Sequence, residues 1–201
     1  IKPISGDEEA EFIYRGVREA VPIDEKPYLL LDIGGGSNEI QLANMEKVLW
    51  RKSVDFGIAR LLNRFTPSDP LKSSEIIEIN SFLDDKLSFL KDIDEGHEVK
   101  TLIGSSGSFD TFASMYIHRA DLVESYSGTK WFEIPLEDYY RIHNDLISNN
   151  KDKRLDMPGM EKMRVEMIPL ASVFTNFLIN LFGINQLIRS SYALKEGVIV
   201  S

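Results

Sequence analysis

The segment Asp32-Ile33-Gly34-Gly35-Gly36-Ser37-Asn38-Glu39 sets two carboxylates on either side of three consecutive glycines and a serine. Glycines let a backbone approach an anion closely, with amide N–H groups turned toward it. Carboxylates flanking such a loop can hold a hydrated Mg²⁺ that bridges phosphate oxygens. The chemistry suits a phosphate bound with a metal: Gly34, Gly35, Gly36 and Ser37 as phosphate contacts, Asp32 and Glu39 as metal ligands. A tight hairpin turn is the simpler alternative, and the two flanking acids weigh against it. A dinucleotide fingerprint needs its last glycine where Glu39 stands and a helix where a strand follows. A Walker A loop needs Gly-Lys-Ser/Thr, which is absent.

A second small-residue cluster, Gly104-Ser105-Ser106-Gly107-Ser108, follows a short apolar run. Read as a strand-to-helix turn, it offers Gly104, Ser106 and Gly107 as phosphate contacts at a helix N-terminus. Ser106 is not a nucleophile elbow, because that motif requires glycine at Ser108. The histidines His97, His118 and His143 lack metal-ligand spacing and read as surface or satisfied residues. Arg60 and Arg164 are cations available to a polyanion, although salt-bridged arginines are the commoner case.

These loops need elements to hold them. Ser5-Gly6-Asp7-Glu8 reads as a capping box, and Ala10, Ile13, Tyr14 and Val17 continue a helix to Ala20. Glu8 belongs to that cap, and Glu9 by itself reads as an acid suited to a helix N-terminus. A turn at 22–27 precedes an apolar run, Tyr28 to Ile33, of buried-strand type. Residues 39–44 and 48–56 read as antiparallel partners of it. Helices are expected over 58–65, 73–90, 136–147, 160–182 and 193–200, with one more running through Met115 after the 104–108 cluster and further strands at 101–103 and 187–189. Phe174, Phe177, Leu178 and Leu181 form a packing stripe, and 118–134 reads as irregular. The expectation is an α/β domain with a mixed five-stranded sheet and flanking helices.

The composition sets outer limits. The 201 residues suffice for one large domain, and the formal charge of −9 argues against a general nucleic-acid binder. There is no cysteine, which excludes disulfides and thiol chemistry. A cytoplasmic location is the expectation, and no apolar run is long enough to cross a membrane.

The ordered blocks resemble a known family. Ile4 to Ala10, Asp32 to Glu39, Ser53 to Leu61, Gly104 to Ser108, Arg164 to Ile168 and Ser191 to Gly197 are similar, in order, to the exopolyphosphatase/guanosine pentaphosphatase (Ppx/GppA) family. The resemblance implies a ribonuclease H-like domain of the actin-like ATPase superfamily. It also implies Mg²⁺-dependent removal of a terminal phosphate from polyphosphate or guanosine pentaphosphate. It assigns Glu9 as the catalytic base, and Asp32, Gly34 and Glu39 to phosphate or metal. The chain departs from the usual family residues at Asn38, Ser105, Ser108, Glu166 and Lys195. Nothing matches the family's first-domain Asp-x-Gly-Ser loop. Residues 1–201 are therefore expected to be the second actin-like domain, with 1–20 as an interdomain crossing helix and a missing N-terminal domain as partner. A homodimer is left open. A nucleotide-binding module of the same superfamily, a kinase half or a non-hydrolytic sensor, is the alternative.

Overall fold

The computed structural model describes residues 5–23, 25–93, 98–126 and 128–200. The expectations for His97, for Asp24 in the turn after the first helix and for residues 1–4 of the crossing segment lie outside the described residues.

The sheet is built around β1 (Tyr28–Ile33), whose six residues are all buried. β2 (Asn38–Ala43) pairs antiparallel to β1, and β3 (Val48–Val54) antiparallel to β2. On the other side β4 (Thr101–Ser105) and β6 (Gln186–Ser190) run parallel to β1. The edge is closed by β5 (Trp131–Ile134), antiparallel to β6, giving the order β3-β2-β1-β4-β6-β5. The sheet thus has six strands where five were expected. The additional strand lies in the stretch 118–134 that read as irregular. Its Trp-Phe-Glu-Ile sequence alternates exposed and buried residues, a period-two signal of only four residues.

Helices cover both faces. One face carries α1 (Gly6–Ala20) and α9 (Leu194–Ile199), packed on Tyr28, Leu30, Ile103 and Ile188. The other carries α2 (Ile58–Phe65), α3 (Ser73–Lys86), α4 (Ser106–Arg119), α6 (Leu136–Ser148) and α8 (Ile168–Phe182), around a core that includes Leu29, Leu31, Leu102, Phe112 and Phe174. Because side chains alternate along a strand, Leu29 and Leu31 serve the large core while Tyr28, Leu30 and Asp32 face α1.

Local chemistry sets the helix ends. Ser5 and Glu8 form the expected capping box of α1. Pro169 lies at the start of α8, so this helix begins at Ile168 rather than near Met160; a proline deeper inside would lack its amide donor and clash. The segment ahead of it holds a 3-10 turn at Lys162–Arg164. α3 stops at Lys86 and passes into a 3-10 turn, Ser88–Asp92, that keeps Leu87 and Leu90 in the core. Two short helices, α5 (Val123–Tyr126) and α7 (Lys151–Leu155), were not expected. α7 is capped by Asn150, whose side chain accepts from the Lys153 amide at 3.1 Å.

α1 and α9 cross at two glycines. A Cβ on Gly16 would lie 2.3 Å from the Ala193 carbonyl oxygen, and one on Gly197 would lie 1.7 Å from that of Phe12. Gly16→Ala should therefore lower stability by about 1–3 kcal/mol, measured as a shift in the urea unfolding midpoint. An unchanged midpoint would mean that the crossing is loose.

Candidate active site

The site lies where β1 and β4 end, the place where open α/β sheets receive ligands. Asp32 is the direct cross-strand partner of Glu39 on β2 and of Ser105 on β4. Directly opposed residues share a face, so register alone brings these three side chains together under α1. Asp32 is 6% exposed and Glu39 2%.

Each buried carboxylate is held by two hydroxyls. Ser105 and Ser106 donate to Asp32 Oδ2 at 2.7 and 2.5 Å. Ser37 and Ser53 donate to Glu39 Oε1 at 2.9 and 2.8 Å. Ser106 does so from a left-handed backbone with φ of 68°, a conformation that costs a non-glycine residue on the order of 1 kcal/mol. Glu9 stands in the first turns of α1, half-buried, close enough to feel both acids. Its pKa is raised, first by burial and then by the charge of Asp32.

The glycine loop is latched from behind. Gly34 N–H donates to the Ser37 carbonyl at 3.0 Å. The amides of Gly57, Ile58 and Ala59 donate to the carbonyls of Gly36, Gly34 and Gly35 at 2.8, 2.9 and 3.1 Å. Asn38 supports this junction by donating its side-chain amide to the Phe56 carbonyl at 2.7 Å. The glycines have different reasons to be there. Gly34 is required by the turn, since a Cβ would lie 2.6 Å from the Ser37 oxygen. Gly35 and Gly36 are exposed and have no such reason: a Cβ on Gly36 meets nothing within 4 Å, and one on Gly35 meets only Ala59, at 3.9 Å. Neither has a positive φ. The bare backbone there faces open space.

The second cluster divides. Gly104 stands inside β4, paired with Leu31 and Arg189, and not at the helix N-terminus where it was expected. Phe109 fills its Cβ position at 2.1 Å, so packing accounts for this glycine. Ser106 and Gly107 do open α4, and the guanidinium of Arg164 lies directly on Gly107, where a Cβ would be 1.7 Å from Nη2. Arg164 Nε is paired with Glu161 at 3.0 Å, while Arg60 pairs with Asp55 on the surface. His118 is exposed. His143 is buried against Ser172, 3.0 Å from Nδ1 to Oγ, and burial depresses its pKa to about 4. Neither approaches the site.

Ser53 also opens a groove of about 590 Å³ along β3, α2 and α3, lined by Lys52, Arg64, Lys86, Phe82 and Phe89. Lys52 Nζ sits 3.7 Å above the Phe89 ring and the Arg64 guanidinium 4.6 Å from that of Phe82. Neither Lys52 nor Arg64 has an ion-pair partner among the described residues.

The donor set fits a magnesium ion. Asp32 Oδ1 and Glu39 Oε2 carry no hydrogen bond among the described residues. Mg²⁺ commonly takes one or two carboxylates and fills its remaining positions from water and phosphate. Among the described residues no group of three or more His, Asp or Glu side chains is placed to hold a metal ion. The roles of Ser53 and Ser105 were missed in the sequence. Each is visible there only once the register opposes Ser53 to Glu39 and Ser105 to Asp32.

A mixed sheet of this order with helices on both faces is the actin-like fold. Residues 1–201 match the Ppx/GppA phosphatase family, and the chain belongs to it. It is 26% identical to exopolyphosphatase 2 of Mycobacterium tuberculosis, aligned over 98% of this chain and 62% of that protein. It is 24% identical to the guanosine-5'-triphosphate,3'-diphosphate pyrophosphatase of Pseudoalteromonas translucida, over 100% of this chain and 38% of that protein. The structure superposes on the crystal structure of an exopolyphosphatase from Cytophaga hutchinsonii with a TM-score of 0.93 and 33% identity, over 98% of this chain and 63% of that one. The chain thus spans less than two thirds of the length of these relatives.

Burial raises Asp32 above its ordinary 3.8, against the lowering effect of its two serine bonds. A carboxylate with a raised folded pKa gives full stability below its unfolded value and loses it as pH rises through the folded one. In metal-free buffer, Asp32→Asn should therefore raise the thermal midpoint at pH 7, by roughly 2–4 °C per kcal/mol relieved. The gain should disappear below pH 3.8. A lowered midpoint at pH 7 would show that the serine bonds outweigh the burial of charge.

Proposed function

We propose that this domain supplies one jaw of a Mg²⁺-dependent phosphoanhydride hydrolase that releases the terminal phosphate of inorganic polyphosphate or guanosine pentaphosphate. One observation carries the reading: bare, exposed backbone at Gly35 and Gly36 beside two buried acids with unused oxygens. The incomplete span of the relatives supports a second domain facing it, with α1 as the crossing element.

The terminal phosphate sits on the backbone of Gly35 and Gly36, with Ser37 beside it and the N-terminus of α4 at Ser106 and Gly107 as a second contact. Arg164 adds a cation there. Asp32 and Glu39 would hold the metal, which when bound would neutralise charge on the phosphate oxygens. Water attacks the terminal phosphorus, and Glu9 orients it and takes its proton. The bond from phosphorus to the bridging oxygen breaks, and the shortened chain leaves with that oxygen. A phosphoryl transition state asks mostly for positioning and charge neutralisation, which suits a site whose carboxylates are locked by hydroxyls. The groove beyond Ser53 offers Lys52 and Arg64 to more distant phosphates. Its phenylalanine faces already carry cations, which favours a linear polyanion over a stacked base.

In the full-length protein, Glu9→Gln should lower kcat for phosphate release by about 10²–10⁴-fold with little change in KM. Phosphate release by the variant at the wild-type rate removes Glu9 from the chemistry. The wild-type rate should fall as acid protonates Glu9, with the acid limb of kcat/KM above the ordinary value of 4.5. Gly36→Val should keep the wild-type thermal midpoint, since its Cβ position is open, and still lose roughly 10²-fold or more in kcat/KM. Full turnover by Gly36→Val, or tight ATP binding without turnover of polyphosphate or guanosine pentaphosphate, would favour a nucleotide-binding module instead.

A further inference from the structure

Glu9 and its partner acids stand on separate bodies. Asp32 and Glu39 belong to the sheet, and Glu9 rides on α1. Something must fix the helix against the sheet to within a fraction of an ångström, because a misplacement of about 1 Å can cost a hundredfold in rate. Apolar packing of Ile13 and Val17 holds α1 down but is non-directional.

The directional contacts come from β2, β3 and the turn between them, where Tyr14 Oη donates to the Asn44 carbonyl at 3.1 Å. Arg51 pairs with Glu11 at 3.0 Å and lies 3.7 Å from Asp7. All three of these side chains are substantially exposed, so water screens the pairs and weakens them. Gly6 comes close to Ser53, with its Cβ position 3.0 Å from Ser53 Cβ. The buried contact is different in kind. Gln41 Nε2 donates to the carbonyl of Ala10, the residue immediately after Glu9, at 2.9 Å. Gln41 is 0% exposed and stands two residues beyond Glu39 on the same face of β2.

Stability alone does not explain this residue. Gln41 Oε1 is buried without a hydrogen-bond partner among the described residues, which is unfavourable. An apolar side chain of similar volume would remove that unpaired acceptor and fill the same slot between helix and sheet. Local rules broken without a stabilising return are expected at functional sites.

We propose that Gln41 is a positioning residue for hydrolysis. Its side-chain amide fixes the turn that carries Glu9 to the strand that carries Glu39, and so sets the distance between the base and the metal-holding carboxylate. The inference rests on the reading of Glu9 as the base.

The test uses the full-length protein and Gln41→Met, which keeps an unbranched side chain of similar size and removes the donor. Phosphate release from polyphosphate should show kcat lowered by about tenfold, with KM within about twofold. The thermal midpoint should be unchanged or raised, which a purely structural residue would not allow. In a Glu9→Gln background the same substitution should cost nothing further, since a residue acting through Glu9 has no effect once Glu9 is gone. Gln41→Leu repeats the measurement if the methionine variant fails to fold.

Wild-type kcat in a folded Gln41→Met or Gln41→Leu, beside an inactive Glu9→Gln, overturns the inference and leaves the hydrolase reading intact. A kcat loss that accompanies a fall in thermal midpoint, or one of equal size in the Glu9→Gln background, also overturns it. Wild-type turnover by Glu9→Gln alone overturns both.

Discussion

Everything at the end of β1 depends on keeping two like-charged acids side by side and out of water. Asp32 and Glu39 are opposed across the ladder, nearly inaccessible, and next to a third acid on α1. Desolvation alone would drive protons onto them. The structure answers with four hydroxyls, from Ser37, Ser53, Ser105 and Ser106, each donating to a carboxylate. Those donors favour the charged form without adding positive charge. The hydroxyls crowd onto one oxygen of each carboxylate, so the other carries no hydrogen bond among the described residues.

The same constraint explains why the site is spread over so many elements. Ser37 ends the turn from β1 to β2 and Glu39 lies just inside β2, Ser53 stands near the end of β3, and Ser105 and Ser106 join β4 to α4. Register places the strand residues at one end of the sheet, and α1 approaches them from outside the ladder. Its approach depends on small residues at both ends. Gly6 fits against Ser53, and Gly16 fits against the backbone of α9. The site is therefore as sensitive to helix–sheet geometry as to the identity of its acids.

Much of this was legible in the sequence, for physical reasons that differ from place to place. The run Tyr28 to Ile33 announced a central strand because both of its faces are buried. Ser5 and Glu8 announced α1 because a capping box is a local device. The glycine loop was legible because two acids flanked it. What escaped depends on partners distant in sequence. β5 is four residues long, and it pairs with β6 across more than fifty residues of intervening chain. Gly104 looked like part of an anion loop, and only Phe109 folding back over the strand shows its packing role. Ser53, Ser105 and Gln41 are ordinary polar residues until the register puts them opposite or beside an acid. The start of α8 was available at Pro169, whose rigid ring was a stronger signal than the apolar periodicity around it.

The latch behind the glycine loop has a further consequence. The amides at the start of α2 bind the carbonyls of Gly34, Gly35 and Gly36, so the most conformationally free residues of the chain are tied to a helix by its own backbone. Loop and helix then belong to one cooperative unit, and the loop cannot open without breaking the first turn of α2. The entropy that three glycines would otherwise lose on meeting a ligand is lost earlier, during folding. Any ligand of this surface would meet a rigid mould, with no floppy segment left to order.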